Sequence, residues 1–544
     1  MNAINHKFYI VNSPQVATQV HRAVKQLSFT PFLAVVAKHI SQFTPDEMTK
    51  IEKNMFGKEG KEGMIPEMHD MIIKEMAPGS QNLRDMSQAV FEMMSKSVNV
   101  VRQEQNRQED GGQAIDAGSD AGGGGKSVQL YKWIRQSFVM ASMTAFYGSE
   151  HPFLNKPHLE EKFWDFEKAL NIFVVNLAPR YTAPQAFQAR EELKEALLDY
   201  LKRDGHKHAS HMIKERLRIH EQHGLSVDGC ARAEVPMLQG VLANATTTTF
   251  WFLAYAYSMP GLLADLRAEL ARIVEVEERD DEITGDDGHD KKKKDINSNS
   301  TVRINRFSVE TIKKQCPLMV GTYREVLRLL GGLPSTRIVL EDTFLGAQQY
   351  LLKAGSTVQI ATNVLHTDET TWGADVAVFN PYRFLTADQA ASIKDRNRSE
   401  NSTNTDTSTH KTSSSPQAAA TGTAAKSTPA QGPIYSFGGG ANLCPGRHFA
   451  LIEVLGFTAA MIWALDVTST SKAAAPATHS STTSPTSEAD TYLLPECPPD
   501  NSSDMPTSFS KPVRDVDVLL WARKIARGEA GMVERADFRV EVVP

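Results

Sequence analysis

The chain has 544 residues but only four cysteines: Cys230, Cys316, Cys444 and Cys497. None belongs to a Cys-x-x-Cys pair, and their spacings suit neither a zinc site nor a disulfide framework. A reducing compartment and no disulfide-linked partner follow. The charge excess that nucleic acid demands is missing too, with 59 Lys+Arg against 65 Asp+Glu. The one basic run, Lys291–Lys294, follows a string of carboxylates and reads as a solvated mixed-charge loop. The N-terminus, MNAINHKFYIVNSPQV, carries neither signal peptide nor apolar anchor and enters a strand near Phe8–Val11. Long uncharged runs are scarce. One, Val235–Ala264, could span a membrane by length, but it holds Gln239, Asn244, four threonines and a Pro-Gly end, so it reads as a buried core helix.

What is present is apolar residue enough for a sizeable core, 41% of the chain. We expect one large domain over 1–544. Four segments, 106–126, 277–302, 387–432 and 468–510, are rich in Gly, charge, Ser/Thr/Asn or Pro. Such compositions cannot bury enough apolar area to offset the entropy of ordering, so they read as disordered surface insertions. Elsewhere helical spacing dominates, at 86–101, 130–148 and 159–178. The charged stretch 190–223 predicts one or two surface helices. Short β-like runs occur at FYIV, at TRIVLED (336–342) and at STVQIAT (356–362). The fold class is mainly α with a small β portion.

The chemistry centres on FGGGANLCPGRHFA, residues 437–450. Gly438, Gly439, Gly440 and Gly446 let backbone approach a planar ligand and turn without Cβ clashes. Pro445 suits the first turn of an apolar, buried helix beginning after Cys444. Backbone N–H groups at that helix start would stabilise a Cys444 thiolate. A metal ligand, a nucleophile paired with His448 and a structural cysteine are the readings open to it. His448 lies four residues on and projects about a turn away.

This loop resembles the haem-binding loop of the cytochromes P-450, Phe-x-x-Gly-x-(basic)-x-Cys-x-Gly. Phe437, Gly440, Cys444 and Gly446 fill the pattern, and Ala450 follows. Asn442 departs from it, since the family commonly has a basic residue there for a haem propionate. Two more motifs agree in order and spacing. YREVLR places Glu325 and Arg328 on one side of a helix. HTDETTWG (366–373) and FNPYRF follow, the latter supplying Arg383. By resemblance, Glu325, Arg328 and Arg383 form a buried structural set. Arg337, in STRIVLED, stands where family members often place a propionate-binding arginine; a solvent-facing strand residue is the competing reading.

On the distal side, Ala243 and Asn244 occupy the acid and threonine positions of the family's distal helix. With Phe250-Trp251 and GSEHPFL (148–154), this resembles the clan of the sterol 7α- and 12α-hydroxylases and prostacyclin synthase, in a eukaryotic, fungal-type form. Asn244, Thr246 and Thr247 are the distal candidates for catalysis, although the threonines read equally as helix-wall residues bonding their own i−4 carbonyls.

The resemblance implies the cytochrome P-450 fold, with haem b between the long distal helix and the Cys444 loop, Cys444 as axial ligand, and Phe437, Gly438, Gly440, Asn442, Gly446 and Arg337 around the cofactor. It implies a monooxygenase acting on a hydrophobic small molecule such as a steroid, terpenoid or lipid. Partners would be O2 and a separate NADPH-cytochrome P-450 reductase. The alternatives are an isomerase of a lipid peroxide and a truncated, non-catalytic haem protein. Relatives carry a membrane anchor ahead of the FYIV strand and lie on the cytoplasmic side of the endoplasmic reticulum. This chain starts after that anchor.

Overall fold

The computed structural model describes residues 2–3, 6–57, 63–109, 125–280, 301–393, 395, 432–470, 509–523 and 538–544. Helices dominate. Five of them build the region of interest: α1 (Leu130–Tyr147), α2 (His211–Gln222), α3 (Val227–Ser258), α4 (Pro317–Leu330) and α5 (Arg447–Ala464).

The longest, α3, begins where the Ser226 hydroxyl accepts the Gly229 N–H at 3.0 Å, and it ends just before Pro260 starts the next helix. An N-cap serine satisfies one of the orphan donors at a helix start. Phe250, Trp251, Phe252 and Leu253 are all buried, so the uncharged run is a core helix. The helix apolar and long enough to cross a membrane is instead α5, of which 78% is buried. A core helix passes the same test.

The β-like runs meet in one sheet of five strands: β1 (Asn2–Ala3), β2 (His6–Val11), β3 (Leu27–Ser28), β4 (Ser335–Val339) and β5 (Thr357–Ile360). Their order is β1-β2-β5-β4-β3, with β5 parallel to β2 and antiparallel to β4. Register sets Val358 opposite Tyr9 and Arg337.

Several expectations change. The 159–178 helix breaks at Ala169 into Leu159–Lys168 and Leu170–Val174. The charged stretch is two helices, Pro184–Lys202 and α2, and both bury a full face, including Leu193, Leu197, Ile213 and Leu217. Periodic charge had hidden that face. Pro445 lies outside α5, which starts at Arg447 with Gly446 as its N-cap. The insertions mostly lie outside the described residues, together with Lys291–Lys294 and Cys497. Their edges are ordered, however. Residues 106–109 continue the helix Gln81–Glu109, and Lys126 opens a strand. Glu277–Asp280 pair with 301–304. Residues 387–393 are helical, and Thr468–Ser469 pair with Val518–Leu519.

Candidate functional site

The Cys444 loop closes on itself. The Cys444 N–H donates to the Phe437 carbonyl at 3.0 Å, and the Gly438 N–H to Tyr435 at 2.8 Å. Gly438 and Gly440 have φ of +73° and +65°, a region that side chains with a Cβ rarely enter. A Cβ on Gly440 would also overlap the His21 carbonyl oxygen. Gly446 is different. Its φ is −73°, and an added Cβ would make ordinary contact, 3.7 Å, with the Cys444 Sγ. Neither its backbone conformation nor the space around it demands a glycine. Arg337 is buried, donating to the Gly439 carbonyl at 3.1 Å and the Thr336 carbonyl at 2.7 Å. The solvent-facing reading of Arg337 therefore fails.

The thiol departs from the expectation of a stabilised thiolate. N–H groups of Gly446 and Arg447 and the Arg447 charge favour the anion, but burial is the larger effect and pushes the Cys444 pKa up. A coordinated cation would reverse this balance, since a coordinating thiol is deprotonated outright. Among the described residues no hydrogen bond joins Cys444 to His448, so the nucleophile-base reading has no geometry behind it. Cys230 and Cys316 are buried, and burial pushes both thiols up to about 12. They are inert core residues.

The expected structural set is assembled. Arg328 binds Glu325 in a fork, Nε to Oε2 at 2.8 Å and Nη2 to Oε1 at 2.7 Å, with both side chains fully buried. Glu325 Oε1 also accepts from Arg383 Nε at 3.1 Å and from the Asn380 N–H at 2.9 Å. Arg383 clasps Asp375 and the Trp372 carbonyl. Buried charges need this many bonds to offset their desolvation.

Two residues assigned no role from the sequence, His366 and Ser436, connect this set to the loop. Arg328 Nη1 donates to the His366 carbonyl at 2.8 Å, and His366 Nε2 accepts the Tyr435 N–H at 2.8 Å. An acceptor nitrogen must be unprotonated, and burial, with help from Arg328, lowers the His366 pKa to about 4. Ser436 Oγ donates to the Leu327 carbonyl of α4 at 2.7 Å. The helix carrying the buried pair thus grips the chain one residue before Phe437.

A cavity of about 1140 Å³ opens over the loop, lined there by Asn442, Leu443, Cys444 and Pro445. Its wall is mostly apolar, including Phe29, Leu33, Phe43 and Met68, and α3 contributes Ala233 and Pro236. Asn244 is half-buried on α3, while Gly240, one turn earlier, is exposed and faces open space. Thr246 and Thr247 are fully buried, and neither they nor Asn244 are among the lining residues. Thr246 bonds to the Leu242 carbonyl at 2.6 Å and Thr247 to the Ala243 carbonyl at 2.9 Å, the i−4 pattern. Thr247 also meets the Tyr131 hydroxyl of α1 at 3.1 Å. Their hydroxyls are occupied by helix and core.

The family model described as cytochrome P450 matches residues 48–489. The chain belongs to the cytochrome P450 family. A cytochrome P450 monooxygenase of Gibberella zeae is 27% identical over 474 residues, covering 85% of this chain and 73% of that protein. The cytochrome P450 monooxygenase nodJ of Hypoxylon pulicicidum is 29% identical over 341 residues, 63% of this chain but only 57% of nodJ. The crystal structure of a cytochrome P450 (CYP102L1) superposes with a TM-score of 0.55 at 14% identity, over 94% of this chain and 89% of that one. The likeness extends to the fold.

P450 proteins hold haem iron through a cysteine thiolate. The residues here fit that group. Cys444 faces the cavity from a loop whose glycines leave backbone bare. Beside the loop, His21 Nε2 is buried without a partner near the Arg337 guanidinium, which leaves one unmatched polar atom at the site. Arg337 places a buried cation against the loop that carries Asn442.

Proposed function

We propose that this P450 is a haem-thiolate monooxygenase that inserts one oxygen atom from O2 into a hydrophobic small molecule. The observation that supports it most is the Cys444 loop, fixed to the Glu325–Arg328–Arg383 set and opening onto a largely apolar cavity of about 1140 Å³. We assign Cys444 Sγ as the iron ligand of haem b, and Arg337 and Asn442 as propionate partners. Phe437, Gly438, Gly440 and Gly446 shape the loop under the ring. A thiolate ligand pushes electron density onto haem iron and favours O–O cleavage.

The chain's own residues bind, orient and exclude water. The apolar wall favours a substrate of low polarity. Asn244 is the polar side chain we assign to the distal face. An amide donates and accepts hydrogen bonds but releases no proton, so it orients water or substrate rather than relaying protons. Thr246 and Thr247 we assign to the helix wall. The described helices and strands fit one P450 domain.

By extension from family members, electrons would come from a separate NADPH-dependent reductase. Placement at the cytoplasmic face of the endoplasmic reticulum is an extension from family members. Asn244 also fits the isomerase reading, because that clan includes both chemistries. NADPH oxidation by the purified protein with a P450 reductase, stimulated by an apolar compound and yielding a hydroxylated product, tests the proposal. Turnover of a lipid hydroperoxide without reductase, and no NADPH-dependent hydroxylation with it, would replace monooxygenase by isomerase.

A further inference from the structure

The cavity carries charge in two settings. Lys25, His69, Asp70 and Glu341 line it as exposed residues. Arg216, from α2, lines it while only 7% exposed. A buried guanidinium against a substrate cavity needs a reason, because desolvating it is costly. Glu234 of α3 supplies half of one. Its Oε1 accepts Arg216 Nε at 3.1 Å and Nη2 at 2.9 Å, and its Oε2 accepts the Tyr147 hydroxyl at 2.9 Å. The carboxylate thereby holds three hydrogen bonds and the pair is electrically balanced. Arg216 Nη1 makes no hydrogen bond among the described residues. One turn along α2, His220 also lines the cavity, is 5% exposed, and its Nδ1 is buried without a partner. Burial and the nearby Arg216 hold its pKa down to about 3, so the ring stays neutral.

We propose that Arg216, held by Glu234 and flanked by neutral His220, is a polar anchor for a neutral oxygen, a ketone carbonyl or hydroxyl, on an otherwise apolar substrate. This rests on the monooxygenase reading and narrows its substrate class. The chemistry selects the neutral acceptor. Arg216 still offers N–H groups, but its charge is already matched by Glu234, so a substrate carboxylate would gain little over a carbonyl and would be desolvated in addition. A pure hydrocarbon would leave the donors unpaired, and a site built to bond an oxygen rejects the analogue lacking it. The anchor sits on the α2 side of the cavity, whereas Cys444 belongs to the loop. A substrate held by its oxygen would thus present a fixed part of its skeleton to the cofactor.

The test uses the haem-loaded protein and three probes of one skeleton: cyclododecane, cyclododecanone and cyclododecanecarboxylic acid. Binding is read from the haem spin-state difference spectrum and, independently, from tryptophan fluorescence. The ketone should bind about tenfold to a hundredfold tighter than the hydrocarbon, and the acid no tighter than the ketone. Replacing both charges together, Arg216→Leu with Glu234→Leu, avoids a lone buried charge and should bring ketone and hydrocarbon within about twofold. Equal affinities in the unaltered protein, absence of ketone binding, an acid tenfold tighter than the ketone, or a ketone preference surviving the double replacement would each overturn the proposal. The ligand series needs no variant, so it decides even if the double variant fails to fold. A preparation without a thiolate-type carbonyl band would count against the monooxygenase reading itself, whereas a normal band with equal affinities counts only against the anchor.

Discussion

Below the cavity, Glu325 collects three donors on one oxygen, and His366 and Ser436 carry that rigidity to the loop. Above it, α3 turns the hydroxyls of Thr246, Thr247 and Thr248 back on its own backbone, and its amides, Gln239 and Asn244, are half-buried. The lower wall is over-determined and the upper wall is permissive. A metal ligand must stand in one place, so its support is built from buried charge and many bonds. A substrate wall needs volume and low polarity, which apolar packing supplies without networks.

The contrast breaks first at its strongest point. Glu325→Ala would leave two guanidinium groups without their shared carboxylate, one of them fully buried. Removing one partner of a buried pair costs roughly 3–5 kcal/mol. We expect little soluble, haem-loaded protein and a sharp fall in the urea midpoint. A near-normal midpoint would mean that the lower wall is not over-determined.

Next comes pH, through two buried groups of opposite sign. Among the described residues Glu453 on α5 is bonded only by the Ser142 hydroxyl, at 2.8 Å, and burial pushes its pKa from 4.5 up to about 8. The unfolded chain loses this proton above about pH 4.5 while the native state keeps it, so stability should fall as pH rises toward 8, by on the order of 4 kcal/mol. Glu453→Gln should flatten that slope in thermal unfolding. His366 runs the other way. Its pKa is lowered from 6.5 to about 4, so its contribution is full above 6.5 and is lost as pH falls through 4, when Nε2 can no longer accept the Tyr435 N–H.

A smaller effect is expected at Arg383→Ala. Its carboxylate partner Asp375 is largely exposed, and Arg328 keeps Glu325 paired. We expect a loss of about 1–3 kcal/mol and poor haem loading, read from the ratio of haem to protein absorbance; normal loading would contradict its structural role. The smallest effect belongs to the upper wall. Thr247→Val removes one bond to a carbonyl and one to Tyr131, and should change stability by about 1 kcal/mol and leave NADPH coupling nearly unaltered. Marked uncoupling would restore Thr247 as a proton relay.

How legible each wall was follows from the range of its interactions. Glu325 and Arg328 are one turn apart, so their pairing is a local property of the sequence, and the loop's Gly and Cys pattern is local too. His366 acts on a backbone N–H 69 residues away, and no residue pattern announces that. The anchor is less legible still. Tyr147, Arg216 and Glu234 come from three helices and meet only when these pack. The insertion edges were misread for the same reason. Composition argues against a core there, but 275–280 finds its partner at 301–306, and that strand pairs in turn with the C-terminal Phe538–Val543. Strand pairing supplies backbone bonds that composition does not encode. Asn442 was legible as a departure, and burial of Arg337 against the loop explains how a cation can still stand nearby.

The central claim is that the lower wall exists to hold Cys444 on haem iron. The carbon monoxide difference spectrum of the reduced, purified protein tests it most directly. We predict the red-shifted Soret band of a thiolate haem in the unaltered protein, and its loss in Cys444→Ala under conditions where the fold, judged by circular dichroism, persists. A band that survives in Cys444→Ala, or a folded and haem-loaded unaltered protein that never shows one, would contradict the account.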